Sequence, residues 1–421
     1  MTSPIRIGYV LDYIPDSEYI SKEVVLGRDS YADRWLRSIG SAGAVGIKYV
    51  PWRTIRKPEL GTHRFGHRVM FVPVTHPLIP THVTSTRRMG LTGKVSPFHR
   101  LEALAFTLNL IPELRRDRVQ MLHYANYFAS TFVFSPIASL STPVVVWHTG
   151  GDFPSARHER IVWLLALRVA MLRTRMVMIG EYPRRRGNLY KILGGKLDKV
   201  KTIQLLRVDR GLFHPMDKQE AKGELGLSGI FHILCVQSLL PLPHNETEHR
   251  QPYLLLDTLA QALHLLPKGK RVLLTIAGTG PGAEVLRKQA SSLGIGDQVK
   301  MPGRIEHENL PRYFSSSDIV FVPFKIDALN ESHVLAEAFS CSRPVAAFRK
   351  NPGAPLNQPG GYLISDKPEE GGRELAKIIS DELGLDNKSK EAYSLSASYD
   401  LTTAGTELVS LYRWALGRRA P

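Results

Sequence analysis

The sequence predicts an α/β protein built from two Rossmann-like domains. The chain has 421 residues, which is enough for two domains that each bury a full hydrophobic core. Short apolar runs typical of buried parallel strands alternate with helical stretches in both halves of the chain. Several of these runs end in loops that contain glycine or histidine, and such loops are where α/β proteins bind ligands.

Composition describes a globular protein of a reducing compartment. Hydrophobic residues make up 43% of the chain and charged residues 22%, as in ordinary folded domains. The two cysteines, Cys235 and Cys341, lie in apolar or helical sequence, which favours buried thiols over a disulfide framework. The first residues lack the pattern of a secretory signal, so we expect a cytoplasmic protein.

Positive charge is concentrated in the first half of the chain. Residues 1–200 contain 29 Lys and Arg against 14 Asp and Glu, whereas the remaining residues contain 26 against 25. This asymmetry suggests an anionic partner for the first half, such as a membrane surface or a polyanionic acceptor. A set of solvated surface arginines with no partner is the alternative.

The first half follows the strand, loop, helix and strand order of a Rossmann-like domain. Strands are predicted over residues 5–11, 47–50, 69–74, 119–123 and 143–147, and helices over 30–41, 101–114 and 129–140. No GxGxxG or Walker motif is present, so a dinucleotide or P-loop site has little support.

Two basic stretches of this half have open interpretations. Residues 81–100 contain no acid, and Arg87, Arg88, Lys94 and Arg100 either contact phosphates or lipid headgroups or belong to a solvated loop. Residues 156–179 are apolar with interspersed arginines and are too charged to span a bilayer. We favour a helix packed against the sheet over one lying on a membrane.

A histidine follows the last predicted strand of this half. The strand over residues 143–147 continues into His148, Thr149 and two glycines. A histidine at the carboxyl end of a parallel strand is well placed for chemistry, and glycines beside it allow close approach of a ligand. A histidine satisfied within its own loop is the alternative.

Domain boundaries are expected near residues 208 and 398. The first domain is predicted to comprise residues 1–208, the second residues 209–398, and a C-terminal helix residues 399–421. In the second domain, strands are predicted over residues 231–236, 271–277, 299–304, 319–323 and 345–348, a turn over 360–364, and helices over 218–225, 252–265, 310–317, 368–384 and 402–416.

The most informative stretch is residues 327–345, DALNESHVLAEAFSCSRPV. It follows the apolar strand at residues 319–323 and becomes a helix of small residues that carries one acid, Glu337. Free amides and the helix dipole attract anions at a helix N-terminus that follows a strand.

This stretch resembles the donor-site signature of retaining glycosyltransferases of the GT-B fold, family 4 type. That signature usually reads Glu, seven residues, Glu-Ala and then Cys-Gly-x-Pro-Val; Glu337 and residues 341–345 match it, whereas Leu329 occupies the first Glu position. The family's Gly-x-Gly-Pro resembles residues 278–281. Ser238 stands where the family has Arg, and Arg250 where it has Lys.

The resemblance implies a GT-B fold, with two Rossmann-like domains facing a cleft and the C-terminal helix crossing back to the N-domain. It implies a retaining transfer of a sugar from a nucleotide-diphosphate sugar to an acceptor, which we expect to be a lipid-linked or cell-envelope glycan. A UDP-sugar donor is favoured over a GDP-sugar, no further cofactor is required, and the protein would be cytoplasmic and peripheral to the inner face of the membrane.

By the same resemblance, three residues receive catalytic roles. His148 would approach the reacting sugar, Arg250 would stabilise the leaving diphosphate, and Glu337 would accept hydrogen bonds from ribose hydroxyls. The donor-binding residues implied are Gly278, Gly280, Arg304, Asn330, Glu331, Ser332, His333, Val334 and Glu337. No metal is expected, because the histidines and acids of residues 244–249 lack a compact ligand spacing.

Other functions stay open. Leu329 and Ser238 replace family residues that contact the donor, so a catalytically degenerate GT-B binding or scaffold subunit is the main alternative. A GT-B sugar-nucleotide epimerase is a weaker option. Nucleic-acid binding is disfavoured because no helix-turn-helix, zinc-finger or RNP motif accompanies the basic half.

Overall fold

The computed structural model of the chain describes residues 3–10, 31–52, 68–77, 97–125, 130–148, 157–179, 189, 193, 198–203, 207–239, 252–326, 329 and 332–417. The chain divides into two compact units: the first comprises Met1–Leu205 with Leu401–Pro421, and the second Leu206–Asp400. The expected boundaries after residues 208 and 398 lie near these two divisions. No helix in the described ranges is long and apolar enough to cross a membrane.

The first unit contains a parallel sheet whose described strands lie in the order β3-β2-β1-β4-β5-β6-β7. The strands are β1 (Arg6–Val10), β2 (Val45–Trp52), β3 (Arg68–Pro73), β4 (Met121–Tyr124), β5 (Val144–His148), β6 (Thr174–Ile179) and β7 (Val200–Thr202). The helices are α1 (Tyr31–Ser41), α2 (Pro97–Arg116), α3 (Ser130–Val133), α4 (Ser135–Ala138), α5 (Arg157–Arg173) and, in chain order, the last helix α13 (Leu401–Ala415).

Hydrophobic cores cover both faces of this sheet. Along β5, Val144 and Val146 pack in the core that contains α2 and α5, whereas Val145 and Trp147 pack in the core that contains α1 and α13. Successive side chains of a strand point to opposite faces, so a strand covered on both faces is apolar at every position.

The C-terminal helix α13 belongs to the first unit. Tyr412 accepts a hydrogen bond from Trp35 Nε1 at 2.8 Å, and its hydroxyl lies 2.6 Å from His123 Nδ1. Gly405 faces Ser38 so closely that a Cβ atom at residue 405 would lie 1.7 Å from the Ser38 carbonyl oxygen. A glycine and a buried polar cluster therefore fix the helix on α1, in agreement with the predicted return of the chain to its first domain.

Two predicted helices of the first half differ from the structure. In place of one helix over residues 129–140, the structure has the two short helices α3 and α4, and Pro136 lies in the first turn of α4, where its missing N–H costs nothing. In place of one helix over residues 156–179, the structure has α5 followed by β6. Thr174 is the first residue of β6 and donates its hydroxyl to the Ala170 carbonyl at 3.0 Å, and the β-branched and methionine residues that follow suit a strand.

The second unit contains a sheet whose described strands lie in the order β10-β9-β8-β11-β12-β14-β13. The strands are β8 (Phe231–Val236), β9 (Val272–Ala277), β10 (Val299–Gly303), β11 (Ile319–Ile326), β12 (Val345–Arg349), β13 (Asn357–Gln358) and β14 (Gly361–Ile364), all parallel except β13. The helices are α6 (Lys218–Glu224), α7 (Pro252–Leu265), α8 (Ala283–Ser292), α9 (Leu310–Ser316), α10 (His333–Ser340), α11 (Pro368–Ser380) and α12 (Glu382–Ser396).

The predicted acidic helix over residues 368–384 is too long. Helix α11 ends at Ser380, and α12 begins at Glu382 after a new N-cap, Asp381. The Asp381 carboxylate accepts a hydrogen bond from the Gly384 amide at 2.8 Å. An aspartate that caps a helix in this way interrupts the helical pattern of the sequence.

A buried ionic network lies at the amino end of the second sheet. The Asp318 carboxylate accepts hydrogen bonds from Lys222 Nζ at 2.6 Å and from the His232 amide at 2.7 Å, and Lys218 Nζ lies 2.5 Å from it. Burial favours the neutral acid, but the Lys218 charge and these hydrogen bonds outweigh it and lower the pKa of Asp318 below its ordinary value. The network thus ties the start of β11 to β8 and α6.

Candidate functional site

The second unit has a topological switch point between β8 and β11. These two strands are neighbours in the sheet, yet the chain proceeds from β8 to β9 on one side and from β11 to β12 on the other. The connecting segments therefore leave the sheet in opposite directions, and a crevice opens at the carboxyl ends of the strands. The loops after β8, β9 and β11 all emerge at this edge.

Gly278 and Gly280 allow the loops after β8 and β9 to run in direct contact. The two glycines have φ angles of +149° and +154°. A Cβ atom on Gly278 would lie 1.8 Å from the Gln237 carbonyl oxygen, and one on Gly280 would lie 1.8 Å from that of Leu239. Only glycine fits either position, so these residues shape the edge of the sheet through their backbone, which the sequence analysis had not specified.

A hydrogen bond joins the same loop to the strand that leads into Arg304. The Gly278 amide donates to the Gly303 carbonyl at 2.8 Å. Arg304 follows at once; its Nε lies 3.4 Å from a Glu306 carboxylate oxygen, and it lines a pocket of about 350 Å³. The other lining residues are Leu225, Pro302, Ile305, Glu306, Asn309, Arg312 and Tyr313.

Helix α10 begins at the carboxyl edge of β11. Ser332 is its N-cap residue and makes no side-chain capping hydrogen bond, and His333 and Val334 form the first turn. The first amides of a helix have no acceptor within the helix, and the dipole gives this end a partial positive charge. Of the other predicted residues of this loop, Asn330 and Glu331 lie outside the described residues.

Glu337 lies in the same helix and is buried, with an exposed fraction of 3%. It lies near Cys341, whose thiol pKa is raised above its ordinary value by burial and also by the Glu337 charge, although Arg343 opposes the effect. Cys341 and Cys235 are both free and buried, which confirms the prediction that they are not a disulfide pair.

Leu329, at the position of the family's first Glu, is a core residue. Its exposed fraction is 7%, and it packs in the cluster that contains α9 and α10. Its Cδ1 atom would lie 2.9 Å from a Cβ atom on Gly361, so the absence of a side chain at Gly361 makes room for it. The position that usually faces the sugar with a carboxylate is therefore filled by a buried apolar side chain.

Gln237 is a residue that the sequence analysis missed. It directly follows β8, and both polar atoms of its side-chain amide are buried with no hydrogen-bond partner in the described structure. A buried amide without a partner costs about 1–3 kcal/mol. The signal in the sequence was a polar residue at the end of a continuous apolar strand, next to the expected phosphate-binding loop.

The remaining predicted catalytic residues are only partly covered by the structure. His148 is the last residue of β5 in the first unit, where its backbone pairs with Ile179. Its side chain and the whole of Arg250 lie outside the described residues. Within the second unit, the structure brings the backbone of Gly278, Gly280 and Arg304 together at one edge of the sheet.

Metal-ligand chemistry has no support in the described part of the chain, where no group of three or more His, Cys, Asp or Glu side chains could hold an ion. The edge of the second sheet instead offers backbone amides, a helix N-terminus and a buried carboxylate. Such an arrangement can bind an anion by its amides and a polyhydroxyl group by its carboxylate.

A large part of the second unit matches a known protein family. Residues 251–394 match the family described as "Glycosyl transferases group 1". A D-inositol 3-phosphate glycosyltransferase of Segniliparus rotundus is 30% identical over 224 residues, which are 51% of this chain and 47% of that protein. The chain thus spans about half the length of this curated relative.

One further sequence relative and one solved structure are similar to this chain. A GDP-mannose-dependent alpha-(1-6)-phosphatidylinositol monomannoside mannosyltransferase of Mycolicibacterium smegmatis is 27% identical over 152 residues, or 35% of this chain and 37% of that protein. The crystal structure of Anabaena HepE in complex with UDP matches 97% of this chain and 100% of that chain, with a TM-score of 0.66 and 17% identity. At this identity the likeness shows the fold alone, and it confirms the predicted GT-B class.

Proposed function

We propose that this chain, whose residues 251–394 form a glycosyl transferases group 1 domain within a GT-B fold, is a retaining glycosyltransferase. It would move a sugar from a nucleotide-diphosphate sugar to an acceptor in glycan biosynthesis. The observation that supports this most is the coincidence of the matched segment with the switch-point edge, where α10 begins and the loop after β9 passes.

The donor would be bound by the second unit. We assign the diphosphate to the N-terminus of α10, at Ser332, His333 and Val334, together with Asn330 and Glu331. Amides and the helix dipole there suit an anion. Glu337 would accept hydrogen bonds from the ribose hydroxyls, and Gly278, Gly280 and Arg304 would border the nucleotide.

The reaction breaks the bond between the anomeric carbon and the diphosphate oxygen, and the electron pair leaves with the nucleoside diphosphate. Arg250 would stabilise the negative charge that develops on this leaving group. His148 would approach the reacting sugar. An acceptor hydroxyl would form the new glycosidic bond with retention of configuration, and its proton would pass to the departing diphosphate oxygen. No metal or other cofactor is part of this proposal.

A UDP-sugar is the favoured donor and a GDP-sugar the second choice. The HepE structure of the same fold is a complex with UDP, and the mycobacterial relative is described as GDP-mannose-dependent. For the acceptor we propose a lipid-linked or cell-envelope glycan, and for the location the cytoplasm, peripheral to the inner face of the membrane. The charge excess of the first 200 residues supports an anionic surface as partner.

A second function is favoured by Leu329. Its buried apolar side chain removes the carboxylate that family members direct at the sugar, and Ser238 removes a cation. A chain with these two changes that still binds nucleotide but no longer transfers sugar would be a GT-B binding or scaffold subunit. The two functions differ in turnover and share the donor site.

The experiment is a thermal-shift panel with UDP, GDP, UDP-glucose and GDP-mannose on the wild type, Glu337→Ala and Arg250→Ala. A ligand at a hundredfold its Kd stabilises the native state by about 2.7 kcal/mol, which raises the melting temperature. Glu284→Ala is the matched control, because that side chain is 65% exposed on α8.

One selective nucleotide shift that is lost in Glu337→Ala and kept in Glu284→Ala supports the donor site. Release of free nucleotide in the presence of acceptor extracts then separates the transferase from the scaffold subunit. Wild-type protein that no nucleotide or nucleotide-sugar stabilises would contradict both functions.

A further inference from the structure

Helix α5 has an outward face that carries an exposed aliphatic stripe, which we define as Ile161, Leu165, Val169 and Leu172. Their exposed fractions are 54%, 56%, 54% and 64%. The spacing of four, four and three residues places all four on one side of an α-helix. Side chains of this size are rarely exposed together in a row, and such patches mark interaction sites.

The opposite side of α5 already makes the contacts that hold the helix in the fold. Leu167, Ala170 and Met171 are buried in the core shared with α2 and β5. The helix is therefore apolar on two sides, one facing the sheet and one facing solvent. The sequence analysis favoured a helix packed against the sheet over one on a membrane; the geometry accommodates both.

Cations border the stripe. At about 100° per residue, Arg168 and Arg173 fall on either side of it, and both side chains are exposed. Lys199 lies at its C-terminal end, with Nζ 3.4 Å from the Leu172 carbonyl oxygen. Residues 161–173 contain no acid, and the first 200 residues carry 29 basic against 14 acidic side chains.

We propose that this face of α5 docks on an anionic lipid surface. The stripe enters the boundary between headgroups and acyl chains, while Arg168, Arg173 and Lys199 meet the headgroup phosphates. The inference rests on the peripheral-membrane part of the proposed function and is independent of the donor assignment. It identifies which surface of the first unit makes the contact.

Charge argues against a second copy of this chain as the occupant. A two-fold symmetric dimer through the stripe would bring the same patch of each copy together and set the same cations against one another. The composition of the stripe argues against a protein partner, because the cores of protein interfaces are enriched in aromatic residues and the stripe has none. Aliphatic side chains bordered by cations suit a lipid surface.

The test is flotation of the full-length protein with vesicles of phosphatidylglycerol and phosphatidylcholine at a 3:7 ratio, and with vesicles of phosphatidylcholine alone. We expect the double variant Leu165→Ser/Val169→Ser to lower partitioning onto the anionic vesicles at least tenfold. Arg168→Gln/Arg173→Gln should lower it as well and weaken its dependence on salt. Leu383→Ser is the matched control, because Leu383 is 73% exposed in the second unit.

Each outcome bears on a separate statement. Wild-type binding that the stripe variant retains in full would overturn the assignment of α5 and leave peripheral association standing. Failure of the wild type to bind anionic vesicles would overturn both the assignment of α5 and the peripheral association with a membrane. The nucleotide thermal shift would still report on the donor site. A dimer in light scattering that the stripe variant abolishes, with flotation unchanged, would make a second copy the occupant.

Discussion

The two units have the same sheet winding and differ in what lies at the ends of their strands. In each sheet the first strand in sequence pairs with the second on one side and the fourth on the other, as β1 does with β2 and β4 and β8 with β9 and β11. In each, an aspartate just before or near the fourth strand is buried at the amino end: Asp117 in the first unit and Asp318 in the second. Their partners are unlike.

The two units thus share the strand order of the sheet and differ in the residues that surround it. Asp117 accepts hydrogen bonds from the Tyr49 hydroxyl at 2.8 Å and from Arg68 at 2.6 Å, whereas Asp318 holds two lysines and a backbone amide. At the carboxyl end, the second unit has its glycine loops, and the family match lies there. The first unit instead carries the basic excess and the stripe of α5.

The largest expected effect comes from a methyl group at Gly278. Gly278→Ala should destabilise the protein by about 5 kcal/mol, because the new Cβ meets a backbone carbonyl and the φ angle is strained. Gly43→Ala in the first unit is the control: it also has a positive φ but nothing within 4 Å of its Cβ position. It should cost only about 1 kcal/mol. Equal losses in urea unfolding would show that the contact between the two loops does not require glycine.

Next in size is the removal of the buried aspartates. Asp318→Ala should cost about 4 kcal/mol, because it leaves a buried lysine charge without its partner. Asp117→Ala should cost about 2 kcal/mol, because it leaves the buried Tyr49 hydroxyl without its acceptor, whereas water can solvate the Arg68 side chain. The side chain of Lys222 is 7% exposed and that of Arg68 is 51% exposed. Unfolding curves in which Asp117→Ala is the more damaging change would reverse the comparison.

A smaller effect should appear in the pH dependence of stability. His232 is buried between Ser316 Oγ at 3.0 Å and Thr275 Oγ1 at 2.9 Å, and burial lowers its pKa from 6.5 to about 4. Between these values the unfolded chain binds a proton that the folded protein does not, so stability falls as the pH is lowered through this window. The loss should approach about 3 kcal/mol at pH 4.

The matched variants are His232→Gln, which should flatten this slope, and His264→Gln on the exposed side of α7, which should keep it. Urea titrations at pH 7, 6, 5 and 4 measure both slopes. Below the ordinary pKa of Asp318 a further loss follows, because the pKa of that carboxylate is lowered in the folded protein. An unchanged slope in His232→Gln would mean that another group dominates the titration.

Local patterns predicted most of the elements. The short, continuous apolar runs at β8, β9 and β11 predicted strands buried on both faces, and the structure has strands there. The long helix expected over residues 156–179 was wrong because apolar periodicity does not tell a helix from the buried strand that follows it. The ends of α11 and α4 depended on single capping or proline residues, which a periodic pattern does not resolve.

The sequence by itself determined the α/β class and the family resemblance of the second half of the chain, because periodicity and motif spacing are local properties of the chain. Only the tertiary structure decided three other points: that Leu329 is core, that Gly278 and Gly280 accommodate neighbouring carbonyls, and that the stripe of α5 faces solvent. Each of these depends on which distant residues lie opposite, and packing between segments far apart in sequence has no signature within either segment alone.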